Sequence, residues 1–286
     1  MLKTVIFNLR KGTDLMTYPN LLLSLKSKSI NVLNIGHSSL EATPLLAYIK
    51  EASLTITDCL LITDCIKVAL EAKSLSLPCI GLSSLQEGFF SGASCVIDSL
   101  EDLDYDSILE EYNRFHHLPS TITNTNRLII RELTVKDIVA MYKLYEDKEY
   151  VKFLSPLLSL EEEIGKQASY IRHVYNFYRY GLWGVFLKST DKLIGRCGLQ
   201  SIEIEASSEV ELAYLIDPAY SQMGYGYEAT LKILEIAREK FDLTSVIARI
   251  HKDNHASIHL AEKLGFHYEK PLPLEEQLLY RIDFKH

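Results

Sequence analysis

The sequence predicts two consecutive α/β domains, the first built on a small parallel sheet and the second on a mixed sheet flanked by helices. Three observations carry that expectation. Continuously apolar runs at 4–9, 30–35, 59–63, 78–82 and 95–97 alternate with helix-like segments near 18–27, 42–52, 65–76 and 100–115. Strands without polar alternation, separated by helices, belong to a parallel sheet buried on both faces. Beyond residue 126 the order changes, and three strand-like runs follow one another at 182–188, 192–202 and 208–216. Between the halves, the segment 116–126 (HHLPSTITNTN) is polar, holds Pro119 and shows no strong periodicity. It divides the chain into 1–118, a linker at 119–126, and 127–286. A length of 286 residues suits two domains of ordinary size.

The first half reads as a Rossmann-like domain. In the second half a strand at 127–132 leads to helices near 134–147 and 159–178, then the three strands, a glycine-containing loop and its helix. A strand at 244–250, a helix at 254–264 and closing strands near 266–270 and 277–284 complete the order.

The loop is the most informative stretch. Glu209 to Ile216 alternates like a strand, and Ala229, Ile233, Ile236 and Ala237 recur at helical spacing. Between them, Ser221-Gln222-Met223-Gly224-Tyr225-Gly226-Tyr227 places two glycines two residues apart at a helix start. Glycines let a ligand approach the backbone, while first-turn N–H groups and the helix dipole favour an anion. The expectation is a phosphorylated cofactor held near 221–228; the bland alternative is a plain helix cap with glycines for turn geometry.

Composition narrows the function. A net charge of −8 and the absence of a Lys/Arg run argue against a nucleic-acid surface and suit a basic or amine-bearing partner. The five cysteines, Cys59, Cys65, Cys79, Cys95 and Cys197, form no C-x-x-C pair and read as reduced thiols of a cytosolic protein. No apolar run approaches the roughly 18 residues of a membrane span. The expected protein is soluble, cytoplasmic and without a metal; monomer and homodimer both remain open.

The order of elements after residue 125, with its motifs, resembles the GCN5-related N-acetyltransferase (GNAT) superfamily, closest to the ribosomal-protein N-terminal acetyltransferase branch. Asn126-Arg-Leu-Ile-Ile-Arg-Glu-Leu-Thr-Val-Lys-Asp137, Gly195-Arg-Cys-Gly-Leu199, the loop Ser221–Gly226, and Asn254-His-Ala-Ser257 followed by Ala261-Glu-Lys-Leu-Gly-Phe266 carry the likeness in the right order. It implies a GNAT-type mixed sheet, acetyl-CoA as co-substrate and direct acetyl transfer to a primary amine, either a protein N-terminus or a small amine. It also implies a splay beside the strand 208–216 in which pantetheine pairs with the main chain of Leu215 and Ile216. Asn254 would hold pantetheine or substrate, or serve as a helix N-cap. Ser257 would stand on the thioester side. Ser221 departs from the family's usual long first residue, which leaves the backbone N–H groups as most of the cradle.

Acetyl transfer needs a neutral amine and a donor to the thioester carbonyl. Glu209, Glu211 and Ala213 share one strand face. Glu211 stands where this branch often carries a glutamate and is the candidate general base, against the reading of a solvated polar face. Ala261 occupies the place of a family tyrosine acid, which leaves Ser257 or solvent, with Tyr268 and Tyr280 as distant candidates. Trp183, Phe186, Tyr170, Tyr175, Phe177, Tyr178 and Tyr180 either line an acceptor wall or pack as core.

Residues 59–81 of the first domain resemble the late metal-binding strand and helix of haloacid-dehalogenase-like (HAD-like) phosphatases, and Asn31–Ser39 resembles their second motif strand. Asp64 stands where that family binds magnesium. Yet Asn8 and Arg10 occupy the places of its two first-strand aspartates, and Asn cannot form an aspartyl-phosphate. The resemblance implies a catalytically inactive relative. Two other functional classes stay open: a bifunctional protein with a working phosphatase, and a CoA-binding sensor without turnover.

Overall fold

The computed structural model describes residues 1–10, 13–36, 44–83, 91–145, 151–154, 156–205, 207–272 and 276–284. The chain divides into two compact units, Met1–Leu118 and Pro119–His286.

In the first unit, strands β1 (Thr4–Asn8), β2 (Asn31–Asn34), β3 (Cys59–Thr63), β4 (Cys79–Leu82) and β5 (Cys95–Ile97) form a sheet of order β2-β1-β3-β4-β5. Every described pairing in it is parallel. Alternation sends neighbouring residues to two different cores. Val5, Phe7, Leu60 and Ile62 meet α1 (Pro19–Ser27) and the helix Tyr105–Phe115. Ile6, Cys59 and Leu61 meet the helices Leu45–Glu51 and Ile66–Ser74. The central strands β1, β3 and β4, which lack polar alternation, are therefore buried on both faces, as expected, whereas the edge strands β2 and β5 are only partly buried. The expected helix at 42–52 is described from Leu45, and of the motif Asn31–Ser39 residues 37–39 lie outside the described residues.

In the second unit an eight-stranded sheet runs β12-β13-β11-β10-β9-β8-β7-β6. Its members are β6 (Thr121–Asn124), β7 (Leu128–Arg131), β8 (Leu182–Leu187), β9 (Leu193–Ile204), β10 (Ser207–Ile216), β11 (Ser245–His251), β12 (His267–Pro271) and β13 (Gln277–Asp283). The β10–β11 pair is parallel and its other neighbours are antiparallel. The helix Tyr225–Glu239 buries Ala229, Ile233 and Ala237 against Cys197, Leu199 and Leu212 of the sheet. The helices Ile138–Leu144 and Leu160–Tyr170 precede β8, and His255–Lys263 follows β11.

Two expectations are corrected. The linker at 119–126 is not a linker along its length: Thr121–Asn124 is an edge strand antiparallel to β7, with a register shift. An edge strand tolerates the polar Thr-Ile-Thr-Asn sequence because one of its sides faces solvent. The long helix at 159–178 runs α-helical through Leu160–Tyr170 and widens into a π turn at Ile171–Tyr175 before a last turn at Asn176–Tyr178. One π turn brings Tyr170 and Tyr175, five residues apart, onto the same β8 residue. The Tyr170 hydroxyl accepts from Leu182 N–H at 2.9 Å and the Tyr175 hydroxyl donates to Leu182 C=O at 2.6 Å.

Candidate active site

The β9–β10 ladder is paired along its length, from Ser207 opposite Ile204 to Ile216 opposite Gly195. On the other side, β10 shares a single register pair with β11, Glu211 opposite Ile247, and the strands then part. The gap is a cleft of about 1440 Å³, flanked by Leu212–Ile216 on one side and Ala248–His251 on the other. The strand residues that a full ladder would pair are left beside a ligand-sized space.

The glycine loop closes one end of that cleft. Gly224 takes φ 80° at the N-cap of the helix Tyr225–Glu239, a conformation suited to glycine. Gly226 has no such need. A Cβ there would find its nearest neighbours, Leu260 and Ile216, at 3.5 and 3.7 Å, so the fold leaves room for a side chain. Bare backbone beside an open cleft at a helix start is what an approaching phosphate requires. Arg127 holds the loop from β7's edge: its Nη1 donates to the Met223 carbonyl at 3.0 Å, its Nε to Glu228 Oε2 at 2.7 Å, and its guanidinium stacks 4.2 Å from the Tyr225 ring centroid. Burial works to raise the Glu228 carboxyl, but hydrogen bonds from Thr125 and Arg127 outweigh it and hold it below its usual value.

Ser221, Gln222, Gly224, Tyr225, Gly226 and Tyr227 all line the cleft, as do Leu215, Ile216, Asn254 and Ser257. Met223 is 55% exposed and contributes its carbonyl to Arg127 instead. Asn254 is a helix N-cap, its Oδ1 accepting from Ser257 N–H at 3.2 Å. Tyr214 reaches across the splay and donates to the Ser257 carbonyl at 3.1 Å. Burial pushes its hydroxyl up to about 12, against that hydrogen bond.

Glu211 is 5% exposed, which removes the reading of a solvated polar face. Its Oε1 accepts from Arg249 Nε at 2.9 Å and its Oε2 from Arg249 Nη2 at 3.0 Å, with Gln200 Nε2 at 2.6 Å from Oε2. Arg249 N–H adds a fourth contact at 3.3 Å. The carboxylate is thus a charge fixed at the point where β10 and β11 separate. Glu209 faces away from the cleft's centre into Arg281, at 3.0 and 3.1 Å.

Of the two readings of the aromatic residues, core packing holds for the buried ones. Trp183 and Tyr175 are core residues at 0% and 1% exposure, Phe186 packs with Leu133 and Met141, and Phe177 and Tyr178 face outward. Tyr180 bonds Ser201, and Tyr268 stacks edge-on against Tyr280. Of the seven, Tyr170 alone lines the cleft, joined there by Tyr145, Phe153 and Arg196, which sequence reasoning missed. The β9 arginine had a visible signal: a charge set between glycines in an apolar strand, Ile194-Gly-Arg-Cys-Gly-Leu199. At the rim, His251, Asp253 and Glu276 offer ligand atoms within 4.8 Å of one another, but Lys252 already pairs with Glu276 at 2.5 Å. All five cysteines are free thiols, and burial pushes Cys59 up to about 11 and Cys79 up to about 12. Among the described residues no helix is long and apolar enough to cross a membrane.

Comparison with known proteins agrees with this geometry. Residues 127–267 match the family model for an acetyltransferase (GNAT) domain. An uncharacterized N-acetyltransferase, YoaA of Bacillus subtilis (strain 168), is 27% identical over 150 residues, covering 52% of this chain and 84% of its own. An uncharacterized N-acetyltransferase, p20 of Bacillus licheniformis, is 23% identical over 148 residues, 51% of this chain and 82% of its own. Among solved structures, RimL, a ribosomal L7/L12 alpha-N-protein acetyltransferase, superposes with a TM-score of 0.50 at 17% identity, covering 59% of this chain and 97% of that one. The co-substrate of this family is acetyl-CoA. With its mixed α/β sheet, its splayed central strands and its glycine loop, the C-terminal unit of this chain is a GNAT-family N-acetyltransferase domain.

Proposed function

We propose that the cleft seats acetyl-CoA along the β10–β11 splay and passes its acetyl group to a primary amine entering from the side of the helices Ile138–Leu144 and Leu160–Tyr170. The observation that carries this reading is the meeting of two features: a parallel pair that stops after one register position, and a helix start stripped of side chain where that gap ends. The residues present fit the co-substrate. The N–H groups of 222–227 supply the pyrophosphate cradle, and the main chain of Leu215 and Ile216 offers β-type bonds to pantetheine.

Bound acetyl-CoA supplies an activated carbonyl carbon, to which the amine nitrogen bonds as the C–S bond breaks. Glu211 serves as the site's proton acceptor, reached through a water because its own oxygens are engaged by Arg249 and Gln200. Ser257 donates to the departing sulfur, and Tyr214, protonated throughout the neutral range, braces the Ser257 carbonyl. Asn254 acts first as the cap that aims the helix start at the cleft. The acceptor is a protein N-terminus or a small amine, and the setting is cytoplasmic.

The first unit carries no phosphatase chemistry in this reading. Asn8 donates to the Ile35 carbonyl at 3.0 Å and accepts from Thr63, while Asp64 accepts from Arg10 N–H at 3.0 Å with Arg10 Nε at 3.7 Å. A guanidinium beside the acid opposes a divalent cation. Calorimetric titration of acetyl-CoA into the full chain, followed by thiol release with an amine panel, tests the proposal. Micromolar binding with turnover supports it; binding without turnover of any amine leaves a sensor; no binding ends it. Magnesium-dependent phosphate release lost in Asp64→Asn would instead establish a second activity.

A further inference from the structure

Of the two cleft-lining arginines, Arg249 is paired with Glu211, and Arg196 has no carboxylate partner among the described residues. In the same unit Arg131 is held by Asp137 at 2.9 and 3.0 Å, Arg249 by Glu211, Arg127 by Glu228 and Arg281 by Glu209. Arg196 is half-buried in a chain with 38 acidic residues against 30 basic, yet it has no ion-pair or hydrogen-bond partner among the described residues. Its guanidinium lies over the Tyr145 ring, 5.7 Å from the centroid. A guanidinium withdrawn from water without an anion is costly unless a ligand completes it.

The register fixes where that guanidinium stands. Arg196 lies opposite Leu215, Gly198 opposite Ala213 and Gln200 opposite Glu211, so these rows share one sheet face. Ala213 lines the cleft between Arg196 on one side and the Gln200–Glu211 pair on the other, while the Gly181 carbonyl covers Gly198, where a Cβ would meet it at 1.9 Å. The helix Tyr225–Glu239 packs on the opposite face, against Cys197 and Leu199, which separates Arg196 from the phosphate cradle. Two more donors converge on this side. The Tyr170 hydroxyl accepts from Leu182 N–H and keeps its own proton to give, and the Tyr145 hydroxyl has no partner among the described residues. Burial pushes both hydroxyls up, against the Arg196 charge, and so keeps them protonated. Lys152, exposed at the rim, adds a cation.

We propose that the acceptor amine carries a carboxylate, and that Arg196, with the Tyr145 and Tyr170 hydroxyls, binds it while the amine faces Glu211. The inference rests on the acetyl-transfer reading of the cleft. A planar guanidinium fork flanked by hydroxyl donors matches the two oxygens of a carboxylate, and it repels a polycationic amine. The carboxylate belongs either to a free α-amino acid or to an acidic residue at the start of a peptide, and matched acceptors separate these sources.

The test measures thiol release from acetyl-CoA with α-amino acids against their carboxamides, and with peptides beginning in Asp or Glu against those beginning in Asn or Gln. In one of the two series the carboxylate member should be favoured about 100-fold in kcat/KM, chiefly through KM. Arg196→Gln should collapse that ratio towards one, Arg196→Lys should restore part of it, and Tyr145→Phe should reduce it a few-fold. An acetyl-CoA titration of each variant shows whether its cleft is folded; should Arg196→Gln fail there, Arg196→Lys and Tyr145→Phe carry the comparison. Equal use of both members, or preference for polyamines, overturns the carboxylate and leaves acetyl transfer standing. Acetyl-CoA binding without turnover of any amine overturns both.

Discussion

In the first unit the carboxyl ends of the parallel strands β1 and β3 bring together Asn8, Arg10, Thr63 and Asp64, and these side chains bind one another and nearby carbonyls. In the second unit the parallel strands β10 and β11 diverge after one register pair, and the strand residues beyond it border a cleft of about 1440 Å³. Both places are carboxyl ends of adjacent parallel strands, where α/β proteins put ligands. What differs is how far the ladder runs. A sheet end becomes a site when pairing stops early.

The sharpest way to break that contrast is at the two glutamates of β10. Glu211→Gln removes the charge at the point of divergence and leaves Arg249 beside a neutral amide. The expected loss is about 10²- to 10⁴-fold in kcat/KM, the usual worth of a proton acceptor, read by steady-state kinetics. Glu209→Gln, whose partner Arg281 keeps Glu269 at 2.6 Å, should cost less than tenfold. Equal effects would mean that Glu211 is structural. In the first unit the corresponding change is Asn8→Asp. It replaces the donor to the Ile35 carbonyl with a carboxylate at a fully buried position, and should destabilise the unit by about 3 kcal/mol or more in urea unfolding. Gain of phosphatase activity in that variant would show that the site was open after all.

Gly226→Ala separates ligand demand from fold demand. The added methyl meets its nearest neighbours at 3.5 Å, so thermal stability should hold within about 0.5 kcal/mol. Acetyl-CoA affinity should fall roughly 10- to 100-fold by calorimetry, because the methyl occupies the approach to the helix start. Unchanged affinity would return the loop to a plain helix cap.

How much of this was legible follows from which forces act locally. The strands of both units and the glycine loop were readable because burial writes its period into the sequence, as at Val5-Ile6-Phe7, whose neighbours alternate between two cores. The strand Thr121–Asn124 was not, because an edge strand needs no apolar run. The Glu211–Arg249 pair joins residues 38 apart across two strands, and no spacing rule reports such a partner. Which of Tyr175 and Tyr178 points inward was not readable, because a π turn shifts every later residue around the helix axis. Arg196 stood in a quoted motif, but its meaning depends on its having no ion-pair partner among the described residues, a fact of three dimensions.

The smallest expected effect concerns the anchor of the loop. Arg127→Ala removes the Met223 carbonyl's donor, the Glu228 ion pair at 2.6 Å and the stack on Tyr225, all on an exposed edge. Exposed pairs of this kind contribute modestly, so a three- to tenfold loss of acetyl-CoA affinity is expected. Its pH dependence has a definite sign. The Glu228 carboxyl is held below its usual 4.5, so its contribution to the folded loop is complete above about that pH and is lost as pH falls through the lower folded value. Without the Arg127 guanidinium the raising effect of burial is opposed only by Thr125 and by the backbone N–H of residue 127, which the substitution keeps, and the acid loss should begin at higher pH. Titrations of both proteins between pH 4 and 8 check this, since the ligand's own protonation cancels in their difference. A variant with the same acid onset as the wild type would show that Arg127 does not hold the loop through Glu228.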